Sequence, residues 1–295
     1  MDRTIKIAIG SILVGVVVLG LKAIAWWMTG SIALLSDALE STVNVATAVA
    51  ALVAIKVAAM PADANHPYGH HKAEFFSAVL EGVMIIIAAL LIMNEAYKGF
   101  MAPRTLDAPL QGLIVNGVAS VVNGVWCYVL ISYGRRHRSP ALVADGKHLL
   151  SDVISSIGVT FGVLLAIITG WQRLDPALAG LVALNILWSG WTVIKESLSG
   201  LLDEAVSEDT LKVIRDTISL QAEGALEVHD LRTRHAGRAT FIDFHMVVPG
   251  QTTVDQAHEI CDRIETALKK ALPNSLITIH VEPENKAKHQ GVLVL

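Results

Sequence analysis

The segment QGLIVNGVASVVNGVWCYVLISYG, at residues 111–134, carries no charged side chain along its whole length. A helix needs about 20 mostly apolar residues to cross the roughly 30 Å hydrocarbon core of a bilayer, so this segment is long enough to span one. Two later segments are equally free of charge, and three earlier ones are apolar with interruptions: residues 153–172 and 176–194, and residues 4–28, 31–59 and 73–99. The sequence therefore predicts six membrane-spanning helices, because so many long uncharged runs disfavour a soluble helical core.

The composition changes near residue 200. The first 200 residues hold 25 of the Lys, Arg, Asp and Glu side chains, and the remaining 95 residues hold another 25. This change predicts a transmembrane domain at residues 1–203, a cytoplasmic domain at 204–285 and a C-terminal tail at 286–295. With 53% hydrophobic residues the chain is not disordered, and its formal net charge of −4 argues against nucleic acid as a partner.

Several function classes lack their motifs in this sequence. Cys127 and Cys261 lie far apart and form no CxxC pair, which argues against a disulfide framework and against a thiolate zinc finger. The chain also contains no phosphate-binding P-loop, which argues against an ATP-driven pump.

The loops between the predicted spans differ in their content of Lys and Arg. Basic residues are more numerous on the side that holds both termini: Arg3, Lys6, Lys56, Lys72, Arg135, Arg136, Arg138 and Lys195. Short loops rich in Lys and Arg stay in the cytoplasm, so we expect both termini to be cytoplasmic.

Two predicted spans contain ionisable side chains. They occur in LLSDALESTVNV (34–45) and in ALVADGKHLLSD (141–152). Each segment has an Asp, then Glu or His three residues later, then Asn or Asp after four more: Asp37, Glu40 and Asn44, and Asp145, His148 and Asp152. Because ionisable groups are costly to bury in a bilayer, each pattern is a hypothesis for a functional site.

The four-residue spacing suggests how these side chains cooperate. Glu40 and Asn44 lie one turn apart on one helix face, and His148 and Asp152 have the same relation. If the two helices face each other, they supply one imidazole nitrogen, two carboxylates and one amide oxygen, a set that suits a four-coordinate divalent ion such as zinc. The competing interpretation is a cluster of interhelical hydrogen bonds without a metal.

A metal site within the membrane has a mechanistic consequence. His and carboxylate ligands bind protons when the metal is absent and must lose them when it binds, so metal and protons compete. If the site opens alternately to each side, the result is metal–proton antiport. The alternatives are a membrane-anchored sensor or scaffold that binds metal without transporting it, and a membrane metalloenzyme. The enzyme hypothesis lacks an obvious nucleophile or general base, so we expect no enzymatic activity.

The cytoplasmic part has the pattern of a small α+β domain. We expect a helix at 208–221, strands at 226–234 and 239–248, a helix at 254–272 and a strand at 276–281, in the order αββαβ. The first helix has Ser207 as its cap. Because residues two apart on a strand share a face, His280 and Glu282 can bind a metal together.

Four sequence segments, in this order, resemble the cation diffusion facilitator family, and most closely its bacterial YiiP-like zinc/iron efflux transporters. The segments are GSIALLSDAL (30–39), NHPYGHHKAE (65–74), ADGKHLLSD (144–152) and HDLRTR (229–234). The resemblance implies a homodimeric antiporter with six helices and a metallochaperone-like cytoplasmic domain. By this resemblance we expect the protein to exchange cytoplasmic divalent cations for protons. Many eukaryotic zinc members of the family carry a long His-rich loop where this chain has the short basic linker 135–140, so the resemblance also favours a bacterial inner membrane. We expect Zn²⁺ first because an imidazole is present, with Fe²⁺, Mn²⁺, Co²⁺ and Cd²⁺ also open.

The resemblance also implies residue roles. Members of the YiiP type usually have Asp at both positions where this chain has Glu40 and Asn44. The metal preference and proton stoichiometry of this protein can therefore differ from those of YiiP-type members. The family pattern assigns further sites to three groups of residues: Asp63, His66 and His70 as a loop metal site, His229, His245, His258, His280 and Glu282 as a two-metal cytoplasmic site, and Lys72 with Asp203 as an interdomain salt bridge.

Overall fold

The computed structural model describes residues 3–29, 32–102, 110–169, 171, 173–288 and 292–293. Within the helices some side chains lie outside this description, and those of Asp37 and Glu40 are among them. The chain divides into two compact units, Met1–Leu198 and Ser199–Leu295.

Long helices build the first unit. One helix corresponds to each predicted span, which confirms the predicted helical transmembrane architecture: α1 (Arg3–Thr29), α2 (Ile32–Ala58), α3 (Ala73–Met101), α4 (Leu110–Arg136), α5 (Pro140–Thr169) and α6 (Leu174–Leu201). Helix α5 begins well before the uncharged segment 153–172, so the polar motif at 141–152 and residues 153–169 form one continuous helix.

Four of these helices are, within the described residues, long and apolar enough to cross a bilayer by length and composition alone. They are α1, α3, α4 and α6, through the segments Arg3–Ile24, Ala73–Met101, Ile114–Arg136 and Pro176–Leu201. In α2 the described apolar segment is the shorter Asn44–Ala58. The remaining two helices, α2 and α5, are those that carry the predicted metal-binding residues.

Two apolar clusters hold the helices of the first unit together. One joins α1, α2, α4 and α5 and contains Ile55 and Leu130, both almost fully buried. The other joins α3, α5 and α6 and contains Ile85 and Ala144. The first half of α5 contributes to both clusters, so the polar side chains Asp145, His148 and Asp152 are buried within the bundle.

Helices α3 and α6 approach closely at a pair of glycines. A Cβ atom on Gly190 would lie 3.1 Å from the carbonyl oxygen of Gly82 and 3.0 Å from the Ile85 side chain. Small residues at helix crossings let backbones approach and gain van der Waals contact, which is a main source of helix association in membranes. The two glycines therefore set the distance between α3 and α6.

The second unit is the small α+β domain that the sequence predicts. Its elements are α7 (Glu208–Gln221), β1 (Glu227–Ala236), β2 (Ala239–Val248), α8 (Val254–Ala271), β3 (Ser275–Pro283), a 3₁₀ turn (Glu284–Lys286) and β4 (Val292–Leu293). The sheet order is β3-β2-β1-β4, with β1 antiparallel to β2 and β4 and with β2 parallel to β3. The short strand β4 is absent from the sequence-based expectation.

Local sequence signals explain the helices of this domain. Ser207 caps α7 by accepting a hydrogen bond from the backbone N–H of Thr210. Thr253 and Gln256 form a reciprocal capping box at the start of α8. Helix α8 then buries one face against the sheet, with residues at helical spacing: Ala257, Ile260, Cys261, Ile264 and Leu268.

We expect Gly190→Leu to lower the thermal unfolding midpoint of the detergent-solubilised protein, because the new side chain must push α3 and α6 apart. Overpacking of this kind typically costs about 1–3 kcal/mol. Gly180→Leu on the same helix is the matched control, because a Cβ there has nothing within 4 Å. Equal unfolding midpoints for the two variants would contradict the close packing of α3 and α6 at Gly190.

Candidate functional site

Helix α5 presents three buried ionisable side chains inside the helical bundle. Asp145, His148 and Asp152 are 2%, 3% and 2% exposed. His148 and Asp152 are one helical turn apart, so they share the face that the sequence predicts for metal binding. A bilayer interior tolerates such groups only where protein partners replace water, so the partners of each residue define what it can do.

The carboxylate of Asp152 collects donors from three other helices. Lys22 Nζ on α1 lies 3.2 Å from each of its oxygens. Asn44 Nδ2 on α2 donates to Oδ2 at 3.3 Å, and Asn123 Nδ2 on α4 donates to the same oxygen at 2.7 Å. The structure thus brings Asn44 and Asp152 together, as the sequence predicts, and the side chain of Glu40 lies outside the described residues.

Two of the expected ligands have polar atoms that are buried without a hydrogen bond. Among the described side chains, Asn44 Oδ1 and His148 Nδ1 find no hydrogen-bond partner. Most buried polar atoms in folded proteins are paired, so each such atom needs an explanation. An amide oxygen and an imidazole nitrogen are both ligands for a divalent cation, and the donor chemistry of this site fits one.

Lys22 and Asn123 are site residues that the sequence analysis missed. Lys22 lies within the apolar segment 4–28, where a lysine is itself a signal of a buried partner. Asn123 has no comparable signal, because asparagine in a membrane helix is commonly a simple interhelical hydrogen-bonding residue. Both are almost fully buried, at 1% exposure each.

Two other buried carboxylates, Asp145 and Glu81, accept hydrogen bonds from serine hydroxyl groups. Asp152, by contrast, accepts them from amides and an ammonium group. Ser11 Oγ donates to Asp145 at 2.5 Å, and Ser77 Oγ donates to Glu81 at 3.4 Å. Glu81 is fully buried on α3 and was not anticipated from the sequence. These hydrogen bonds join α1 to α5 and stabilise turns of α3, so this group differs in chemistry from the surroundings of Asp152.

The loop between α2 and α3 gathers the three residues that the family pattern assigns to a metal. Asp63 lies 3.3 Å from His66 Nδ1 and 3.6 Å from His70 Nε2, and ligand atoms of all three residues lie within 4.8 Å of one another. The backbone N–H of His66 donates to Asp63 at 2.7 Å, and this hydrogen bond chiefly lowers the pKa of that carboxyl. An ionised carboxylate beside two imidazoles is suitable for a divalent cation.

Three neighbouring strands of the cytoplasmic domain place a histidine at the same level. His229 on β1 pairs in register with His245 on β2, which pairs in register with His280 on β3. Glu282 reaches all three imidazoles, at 3.3 Å from His229 Nε2, 3.4 Å from His245 Nδ1 and 3.7 Å from His280 Nε2. The sheet register thus brings together four of the five residues assigned to this site.

The fifth residue, His258, lies on α8 with its side chain 73% exposed, and its ring nitrogen is 3.7 Å from Asp262 on the same helix. A residue that was not assigned, Asp230, has a ligand atom within 4.8 Å of those of His229 and His245. Asp230 has φ 52° at a bulge of β1, and Lys288 Nζ donates to it at 2.6 Å. That ion pair chiefly lowers the pKa of the Asp230 carboxyl.

The expected pairing of Lys72 with Asp203 joins residues of the two different units. Within the second unit, Arg234 Nη1 donates to Asp203 at 3.1 Å. The Lys72–Asp203 salt bridge therefore stays a prediction.

Comparison with known families identifies both parts of the chain. The family described as "Cation efflux transmembrane domain" matches residues 8–202. The family described as "Cation efflux protein, cytoplasmic domain" matches residues 206–284. Together the two matches cover nearly all the described elements, and they meet where α6 ends and the α+β domain begins.

Individual relatives extend over almost the full length. An uncharacterised transporter, sll1263 of Synechocystis sp. strain PCC 6803, is 42% identical over 276 residues, which is 94% of this chain and 89% of its own. The cation-efflux pump FieF of Escherichia fergusonii is 30% identical over 290 residues, 97% of this chain and 95% of its own. A solved structure of CzrB in its zinc form is 47% identical, covers 29% of this chain and 98% of its own, and has a TM-score of 0.28. From the family matches, the chain belongs to the cation efflux, or cation diffusion facilitator, family of membrane transporters.

Proposed function

We propose that this protein exports a divalent metal cation, with Zn²⁺ as the first candidate, from the cytoplasm in exchange for protons. The cation binds Glu40, Asn44, His148 and Asp152. The observation that carries the proposal is the buried Asp152 carboxylate, which receives donors from α1, α2 and α4. Two further atoms of the proposed ligands, Asn44 Oδ1 and His148 Nδ1, are buried without a hydrogen-bond partner among the described side chains.

The ligand chemistry favours a divalent transition metal. One imidazole, one amide oxygen and two carboxylates suit the tetrahedral coordination of zinc, and the two negative charges balance the ion in a low-dielectric interior. Fe²⁺, Mn²⁺, Co²⁺ and Cd²⁺ can use the same donors, so selectivity depends on geometry and availability. Transport of a metal is consistent with the name of the relative FieF, a cation-efflux pump.

Exchange for protons follows from the same ligands. A carboxylate or imidazole that binds the metal must give up any proton it holds, so metal entry releases protons and metal release takes them up. If the helices open the site alternately to the two sides, cation and protons cross in opposite directions. No nucleotide is needed, because the proton gradient supplies the driving force.

The loop and cytoplasmic clusters serve regulation in this proposal. Apart from the buried His229, their residues are at least partly exposed, so the clusters can exchange metal with the cytoplasm, whereas Asp152 is enclosed. We propose that the protein is a homodimer in a bacterial cytoplasmic membrane, with both termini inside. Metal at His229, His245, His258, His280 and Glu282 favours closure of the dimer. The Lys72–Asp203 salt bridge links the domains.

The same two clusters also fit a second function, a membrane-anchored metal sensor that binds without transporting. A sensor needs the cytoplasmic cluster alone and gives no role to buried ligands inside a bilayer. Metal flux across a membrane separates the two functions directly.

We expect Asp152→Asn to reduce proton-driven zinc uptake into inside-out proteoliposomes at least 100-fold, because the variant loses a ligand charge while keeping the shape of the side chain. Uptake is measured with zinc isotope under an imposed pH gradient, and folding by size-exclusion chromatography. Glu196→Gln is the matched control, because Glu196 is 61% exposed and lies at the other end of an ion pair with Lys147. Wild-type zinc uptake in the Asp152 variant would remove this residue from the transport site.

We expect His245→Ala to raise the zinc concentration at which the cytoplasmic domains of a dimer approach each other, measured by fluorescence transfer between labelled full-length protomers. His245 lies between His229 and His280 in the row of imidazoles, so its loss removes the central ligand. His235→Ala, on β1 outside this row, is the control. Loss of metal binding at Asp152 in the His245 variant would contradict separate roles for the two sites.

A further inference from the structure

Lys22 is a fully buried cation in the transmembrane bundle. Its side chain is 1% exposed, and its ammonium group lies 3.2 Å from both oxygens of Asp152, which is 2% exposed. A charged group in a low-dielectric interior is stable only beside an opposite charge and with its hydrogen bonds made. Lys22 is held where it is by the carboxylate that the proposed function assigns to the metal.

The ammonium group of Lys22 and a bound metal ion would compete for the carboxylate of Asp152. Each needs the negative charge of the carboxylate, and Lys22 is within contact distance of both oxygens. A dication bound to either oxygen would stand next to the ammonium, and like charges repel strongly in a medium of low dielectric constant. The ammonium must therefore withdraw from Asp152 when the metal binds.

We propose that Lys22 is a tethered cation that replaces the metal on Asp152 whenever the transport site is empty. The inference rests on the proposed function of Asp152 as a metal ligand. It concerns the position of the ammonium group and requires no change in its charge. Asp152 then stays ionised in the empty site, and the protons taken up on metal release go to the other ionisable ligands of the proposed site. Lys22 is a positioning residue in this scheme, because it acts on the metal through the carboxylate and does not coordinate the metal itself.

The proposal predicts two separate effects of removing the charge. A site that Lys22 occupies for nine-tenths of the time binds metal about tenfold more weakly than the same site without it, because only the vacant fraction accepts metal. To complete a cycle of net export, the empty site must also become accessible from the cytoplasm again. Without Lys22 the carboxylate of Asp152 keeps its amide donors but loses the opposite charge of the ammonium during that step, so the return slows, whereas the metal-loaded protein is unaffected.

The test compares two modes of transport in proteoliposomes. Net zinc efflux requires return of the empty site, whereas exchange of zinc isotope against unlabelled zinc on both sides requires passage of the loaded site alone. We expect Lys22→Met to slow net efflux roughly tenfold or more while exchange stays within about twofold of wild type, and to lower the apparent Kd for zinc about tenfold. Lys22→Arg, which retains the charge, should restore net efflux in large part.

Controls keep the outcome interpretable. Lys147→Met removes a lysine that pairs with Glu196 at 2.8 Å, and it should leave both modes of transport unchanged. If Lys22→Met does not yield folded dimer, Lys22→Gln, which keeps a hydrogen-bond donor without the charge, takes its place in both assays.

Equal loss of net efflux and exchange, or weaker zinc binding, in the Lys22 variant would overturn the role of Lys22 as a tethered cation. That result leaves the proposed function intact provided that Asp152→Asn abolishes both modes. Survival of zinc transport in Asp152→Asn would instead refute the proposed function itself, so the two failures are distinguishable.

Discussion

The architecture of the membrane unit depends on one buried carboxylate. Asp152 lies inside a bundle that faces lipid, where Lys22 compensates its charge and the amides of Asn44 and Asn123 donate hydrogen bonds to it, from three different helices. Removing one partner of a buried ion pair typically costs about 3–5 kcal/mol, because the other charge is left buried and uncompensated, so these donors must stay in place once α1, α2, α4 and α5 have met. The same contacts make the site sensitive to metal binding, because a cation that replaces Lys22 at Asp152 must rearrange the hydrogen bonds around that carboxylate.

The second unit reaches a comparable set of ligands by a different route. Hydrogen-bond register between strands places His229, His245 and His280 in one row, and Glu282 contacts all three. His229 is buried, but His245, His280 and Glu282 are partly open to water, where charges are screened and a metal can come and go at modest cost. A buried site suited to selective transport and exposed sites suited to sensing the cytoplasmic metal level are therefore consistent with one regulated exporter.

The sequence predicts much of the fold, because hydrophobic length and period are local properties. The six helices, the αββαβ order and the convergence of Asn44 with Asp152 were all expected. Lys22 was missed although a lysine within an apolar segment signals a buried partner, because its sequence position does not say which partner that is. Asn123 was missed because its role exists only once α4 packs against α5, which no local pattern encodes. Asp230 was missed for a related reason: its access to the histidine row depends on a bulge in β1 with φ 52°. Strand β4 has two residues, too few for a periodic signal.

The central claim is that one divalent ion binds inside the membrane through a single imidazole and three oxygen ligands. X-ray absorption at the zinc K-edge tests it most directly, on full-length protein in which the other sites are removed by substituting His66, His70, His229, His245, His258 and His280 with alanine. The account predicts one zinc per protomer with one imidazole nitrogen and three oxygens at about 2.0–2.2 Å. A spectrum with two or more imidazoles, or protein that retains no zinc, would contradict it.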